Sequence, residues 1–201
     1  MTRYRNVGLV APSAALALAF VLMLPSSAEA GRIKKRAGNQ QDRIARGVKS
    51  GELTARETGR LERKESALNH EVKDMKALNG GSLTNKDKAI VNHQQNEISR
   101  GIYSQKHDAQ TQNTAPKTEV GQRKENQQDR IGQGVASGEL TPAEAGRLEG
   151  KETALNQETR DMRRLDGGKL TPGDKKVLNQ QQDGLSKQIY GQKHDDQTQP
   201  D

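Results

Sequence analysis

The chain has 201 residues, a formal charge of +7, three tyrosines, one phenylalanine, no tryptophan and no cysteine. Lack of cysteine excludes disulfides and thiolate metal sites, and four aromatics are too few for the stacking platforms of single-stranded nucleic-acid binders. The basic excess is local: Arg32, Lys34, Lys35 and Arg36 stand together, so no nucleic-acid partner is expected, and the arm suits contact with an anionic surface such as lipid or lipopolysaccharide.

Residues 1–30 read as a signal peptide. Arg3 and Arg5 form a basic start, Val7 to Leu24 form an apolar stretch, Pro25 breaks it, and Ala28-Glu29-Ala30 offers small residues at the two positions a signal peptidase reads. Cleavage before Gly31 would release a periplasmic or secreted chain with no later apolar run. Residues 31–38 then form a basic N-terminal arm.

Residues 39–112 align with residues 126–199 at a constant offset of 87 without a gap, and 46 of the 74 positions are identical. Gln-Gln-Asp-Arg-Ile at 40–44 returns at 127–131, and Ser-Gly-Glu-Leu-Thr at 50–54 returns at 137–141. The chain is therefore expected to carry two tandem helical repeats, with residues 113–125 as a polar linker around Pro116.

Within each repeat a weaker period of 30 residues joins Gly51-Glu52-Leu53-Thr54-x-x-Glu57 to Gly81-Ser82-Leu83-Thr84-x-x-Asp87. Glycine ends one helix and threonine caps the next, with an acid at the third helical position closing a capping box. Thr54 with Glu57, Thr84 with Asp87, Thr141 with Glu144 and Thr171 with Asp174 are the expected caps. Pro142 and Pro172 follow their threonines at the first helical position, where proline costs no hydrogen bond.

Three helices per repeat follow, over 40–49, 55–78 and 85–105 in the first copy, giving an all-α chain of two three-helix hairpin stacks. The second helix carries an apolar stripe at helical spacing: Leu61, Leu68 and Met75, repeated as Leu148, Leu155 and Met162. These six residues are a candidate interaction stripe. The remaining faces are charged or rich in Gln and Asn, and acids fall at pairing distance from bases, as Glu57 does from Arg60. With so few apolar side chains, pairing of the two copies or homodimerisation is expected to complete the core.

Two resemblances attach to the glycine frames. Gly-x-Leu-Thr-x-x-acid resembles the second half of an EF-hand calcium loop, which implies Glu57, Asp87, Glu144 and Asp174 as closing ligands. The first halves depart from that family: in the first loop Arg46, Val48 and Ser50 stand where its carboxylates would be. The Leu-Thr-x-x-acid frames also resemble the LTxxQ motif of the small helical periplasmic chaperones and stress adaptors of the Spy and CpxP family, with an acid replacing each glutamine. That resemblance implies weak binding of unfolded protein clients or envelope components.

His107-Asp108 and His194-Asp195 occupy equivalent places in the two copies and are the candidate metal ligands, although one histidine per copy is too few for a closed site. No nucleophile motif, phosphate loop or ligand cluster is present, so neither an enzyme nor a cofactor is expected. The functional reading is an exported, non-enzymatic helical binding protein, chaperone-like in character. A hydrophilin-like stress protectant and a degenerate EF-hand-like calcium or metal module are the alternatives.

Overall fold

The computed structural model describes residues 27–199, which are all-α: α1 (Ser27–Ser50), α2 (Ala55–Leu78), α3 (Asn85–Lys106), α4 (Glu119–Ser137), α5 (Pro142–Leu165) and α6 (Pro172–Lys193). Residues 1–26, which carry most of the expected signal peptide, lie outside the described residues. None of the described helices is long and apolar enough to cross a membrane.

Local chemistry sets the helix ends. Gly51 and Gly138 adopt φ of 74° and 77° after α1 and α4, a left-handed turn that a Cβ would strain. The chain then folds back, so that Leu53 N–H donates to Gly47 O and Leu140 N–H to Gly134 O, both at 2.9 Å. Both leucines are fully buried, and each one's side chain lies against the glycine whose carbonyl it bonds. Thr54, Thr84, Thr141 and Thr171 then open α2, α3, α5 and α6 with complete capping boxes.

Two boundaries differ from the sequence expectation. Helix α1 covers Ser27–Ser50 of the described residues, so helix is already present upstream of residue 40, through the expected cleavage site and the whole basic arm. Helix α4 starts at Glu119, inside the segment read as linker, with Thr118 Oγ1 accepting from Gly121 N–H. The cause is tertiary. Ile33 is buried against the core of the first three helices, its carbonyl accepts from Gln95 on α3, and Arg36 donates to Asn92 and Asn96 on the same helix. Val120 and Arg123, 87 residues on, do the same with Gln182 and Asp183 on α6. Equivalent contacts at the 87-residue offset thus begin upstream of residues 39 and 126.

Helices α1 and α3 run parallel, held by buried glutamines. Gln40 Nε2 donates to Gln95 O at 2.8 Å and to Ser99 Oγ at 3.0 Å, and Gln127 repeats both bonds to Gln182 O and Ser186 Oγ at 2.7 and 2.9 Å. Faces that look solvated in sequence are therefore interhelical contacts. Apolar side chains of α1, α2 and α3 form one cluster around Ile44, Leu61, Val91 and Ile102. Those of α4, α5 and α6 form a second, around Ile131, Leu148, Leu185 and Ile189, which also takes Ala45 from α1.

The clusters are joined by equivalent helices, α1 against α4 and, most extensively, α2 against α5. A Cβ built on Gly59 would lie 3.3 Å from Glu149 Cβ, and one on Gly146 would lie 3.5 Å from Glu62 Cβ. Numbers rise along one helix as they fall along the other, so α2 and α5 cross antiparallel, each glycine facing the other copy's glutamate. A bulkier side chain at Gly59 must push the helices apart. Gly59→Val should destabilise the protein by about 2 kcal/mol. Gly184→Ala, in a helix interior with nothing within 4 Å, should stabilise it by roughly 0.5–1 kcal/mol. Thermal or denaturant unfolding followed by circular dichroism reads both, and equal effects of the two would contradict the close crossing.

Candidate functional site

The residues singled out from sequence are largely occupied by folding. Glu57 Oε2 accepts from Thr54 N–H and Oγ1–H at 2.9 and 2.7 Å, and Glu144 repeats the bonds with Thr141 at the same distances. Asp87 and Asp174 hold Thr84 and Thr171 in the same way. Each acid of the Gly-x-Leu-Thr-x-x-acid frames is thus bound to its own helix terminus. His107 and His194 sit at the C-caps of α3 and α6, stacked on Tyr103 and Tyr190, with Nδ1 2.7 and 2.8 Å from the tyrosine carbonyls. A carbonyl only accepts, so Nδ1 carries the proton. Asp108 and Asp195 accept from the N–H of Gln110 and Gln197 at 2.8 and 2.9 Å. Among the described residues no group of three or more His, Asp or Glu is placed to hold a metal ion.

The apolar stripe points inward. Leu61, Leu68 and Leu148 are buried in the two clusters, Met75 and Leu155 pack against them, and Met162 is half-buried. Leu61, Leu68 and Leu148 are thus spent on the core, while Met75, Leu155 and Met162 keep part of their surface exposed. The stripe is built by the helical period, and that period cannot say whether another helix of the same chain covers it.

Sequence reasoning missed a group of buried carboxyls in the seam between α2 and α5. Glu62 and Glu149 have no exposure, and Glu65 and Glu152 have 1 % each. Gln41 Nε2 donates to Glu62 Oε2 at 3.2 Å and Gln128 Nε2 to Glu149 Oε2 at 2.9 Å, while Oε1 of all four glutamates has no hydrogen-bond partner. Loss of hydration penalises the charged form. Burial therefore pushes the Glu62 carboxyl well above its ordinary range, Glu149 up to about 8, and Glu65 and Glu152 up to about 7. Glu65 lies on the apolar stripe itself, four residues after Leu61 and three before Leu68, and Glu152 repeats the placement. A carboxyl at a stripe position in both copies was the available signal.

The two copies treat this carboxyl differently. Lys124 on α4 is half-buried, its pKa lowered first by desolvation and partly restored by attraction to Glu152, Glu125 and Glu149. Its equivalent in α1 is Ala37. Burial is the one cause of the Glu65 shift, with no cation offsetting it.

Beside Ala37 opens a cavity of about 790 Å³, bounded by α1, α2, α3, the α4–α5 turn and the segment ending at Gln199. Ile33, Leu68, Val72, Leu83, Val91 and Val135 supply an apolar wall, and Glu65, Gln41 and Gln95 supply buried polar atoms. Lys34, Asp42, Lys76 and Glu139 complete the charged lining. Glu139 is engaged by Lys193 at 3.2 Å and by Ser137 at 2.9 Å. A half-open cleft of this size, mostly apolar with a few polar groups, has the make-up of a small-molecule site.

Comparison with known proteins finds no matching family model, no matching curated protein and no matching solved structure. The site is therefore interpreted from its own chemistry.

The raised carboxyls give stability a definite pH dependence. The unfolded chain releases these protons near pH 4.5 while the folded chain keeps them to about pH 7–8, so their contribution is full below pH 4.5 and falls as pH rises through 8. Asp87, Asp174, Glu52 and Glu139 are shifted down by their cap and ion-pair partners and act in the opposite sense, at lower pH. The melting temperature should drop by at least about 5 °C between pH 5 and pH 8. Glu149→Gln, which keeps a hydrogen-bonding head without the charge, should flatten that slope. A melting temperature that rises over this interval would contradict the buried seam.

Proposed function

We propose that this is an exported, non-enzymatic binding protein made of two copies of a three-helix unit, whose binding element is the cavity beside Ala37. The cavity carries the reading: about 790 Å³ lies against a mainly apolar wall in a chain otherwise poor in apolar side chains. The cavity opens to solvent, so its apolar wall is hydrated, and a ligand that covers that wall gains by removing it from water. The leader pattern of residues 1–30 supports export to the cell envelope or beyond it.

Binding with no accompanying reaction fits the residues around the cavity. They include one carboxyl raised by burial, Glu65, and amide side chains, but neither cysteine nor histidine. The packed clusters also favour a folded binding protein over a hydrophilin-like protectant, which would show little cooperative melting. The test uses protein recovered from the cell envelope, whose mass also reports whether residues 1–30 have been removed. N-phenyl-1-naphthylamine, a neutral apolar fluorophore, should brighten and saturate at one equivalent, and Ala37→Phe should weaken it several-fold. No saturable brightening would remove the cavity reading.

A second reading, chaperone-like capture of unfolded clients, draws on a different observation. Leu78 and Leu165 end α2 and α5 with exposures of 85 % and 84 %, beside Lys76 and Arg164. Such tips could touch apolar segments of a client or an anionic surface. If so, the protein slows aggregation of a reduced, unfolding client at stoichiometric amounts, and Leu78→Ser with Leu165→Ser abolishes the protection. Protection that survives the double substitution would separate the activity from the tips.

A further inference from the structure

We propose that the ends of α2 and α5, at the α2–α3 and α5–α6 turns, are docking tips for bilayers rich in anionic phospholipid, each placing one leucine among the headgroups, and that one molecule bridges two such surfaces. The proposal does not depend on the cavity, and it commits the exposed tips to lipid.

Both turns project from the molecule. A Cβ built on Gly80, Gly81, Gly167 or Gly168 would meet nothing within 4 Å, and all four glycines adopt positive φ. The turns are nevertheless fixed. Gly81 N–H donates to Lys76 O at 2.8 Å and Gly168 N–H to Arg163 O at 2.7 Å, while the capping boxes at Thr84 and Thr171 hold the helices that follow. Leu78 and Leu165 are thereby kept outward, more exposed than any other large apolar side chain among the described residues.

Each leucine stands among cations. Lys73, Lys76 and Lys86 are exposed near Leu78, and Arg160, Lys169, Lys175 and Lys176 near Leu165. The acids there are fewer and mostly engaged: Asp87 and Asp174 hold the threonine caps and Asp161 pairs with Arg164 at 3.1 Å, which leaves Asp74 and Asp166. From the first copy to the second, Lys73 and Lys76 become Arg160 and Arg163, Ala77 and Ser82 become Arg164 and Lys169, and the leucine stays. One leucine ringed by charge is a narrow face for an unfolded chain. It suits a headgroup layer, whose phosphates supply the opposite charge and whose acyl boundary takes the apolar side chain.

Bridging follows from the crossing of α2 and α5. The helices run antiparallel where Gly59 and Gly146 meet the other copy's glutamates, and each leucine lies 19 residues beyond its glycine. At the helical rise each tip stands about 28 Å from the crossing. The tips leave it on opposite sides, so a molecule docked through one presents the other to a second surface.

Vesicles of phosphatidylglycerol and phosphatidylcholine in equal parts, compared with pure phosphatidylcholine, test this on protein recovered from the cell envelope. The protein should sediment with the anionic vesicles at least about tenfold more strongly than with the neutral ones and should cluster them, and about 0.5 M NaCl should reverse both effects. Leu78→Ser should spare sedimentation but lower clustering several-fold, because one tip remains. Leu78→Ser with Leu165→Ser should lower binding by at least about tenfold with an unchanged melt. The chain has no tryptophan, so Leu78→Trp supplies a single reporter, whose emission should shift to the blue on anionic vesicles and be quenched by lipid brominated on its acyl chain. Lys35→Glu, a charge reversal in the basic arm, should leave binding and clustering unchanged. Equal sedimentation with neutral vesicles, binding that survives the double serine substitution, or binding lost through Lys35→Glu would overturn the docking, and sedimentation without clustering would overturn the bridging. If the tips protect an unfolding client while the protein ignores vesicles, their partner is protein and the lipid assignment falls. The cavity reading is decided separately, by N-phenyl-1-naphthylamine.

Discussion

The close approach of α2 and α5 governs the rest of the molecule. Each helix presents a glycine, Gly59 or Gly146, to the other's glutamate, Glu149 or Glu62, and the gap left for a Cβ is 3.3 Å on one side and 3.5 Å on the other. At that separation there is no room for water to hydrate the glutamates. Burial therefore raises their carboxyls, and their neighbours must bring hydrogen-bond donors, as Gln41 and Gln128 do from α1 and α4. Those two helices are thereby drawn onto the seam, with Gly132 against Val48 and Ala45. The four-helix centre follows from one contact made twice.

Around that centre, polar side chains do work that larger cores assign to leucine and phenylalanine. Gln40 and Gln95, with Gln127 and Gln182 in the second copy, bond backbone carbonyls across helices that are too sparsely apolar to hold by burial alone. Each such bond contributes modestly, roughly 1 kcal/mol, and satisfies only the Nε2 donor, since Oε1 of all four glutamines has no hydrogen-bond partner. The arrangement fixes register as well as proximity, since a glutamine reaches one carbonyl and no other. Capping boxes at four helix starts and ion pairs from Lys106 to Glu52 and Lys193 to Glu139 then tie each third helix to the turn between the first two.

Duplication gives the molecule a symmetric frame in which small differences become legible. Most buried positions match between copies, so the exceptions carry meaning. Ala37 against Lys124 and Val72 against Thr159 fall on the same wall of the unit. Toward Glu152 the second copy sends a lysine; toward Glu65 the first leaves space and an apolar surface. Oε1 of both carboxyls lacks a hydrogen-bond partner and both are raised to about 7, so what distinguishes the copies is the space and apolar surface beside Ala37.

The sequence by itself determined the ends of α2, α3, α5 and α6, because a glycine stop, a threonine cap and an acid at the third position act on atoms within a few residues of one another. It also determined which side of α2 and α5 is apolar, since the 3.6-residue period is local. Only the tertiary structure decided that α1 extends upstream of residue 40 and that α4 begins at Glu119, because Gln95 and Gln182, which hold the carbonyls of Ile33 and Val120, lie 62 positions away in each copy. It alone placed Glu62, Glu65, Glu149 and Glu152 in the interior. A glutamate on a helix is solvated or buried according to what packs against it, and here the packing helix is the same segment 87 residues further along the chain.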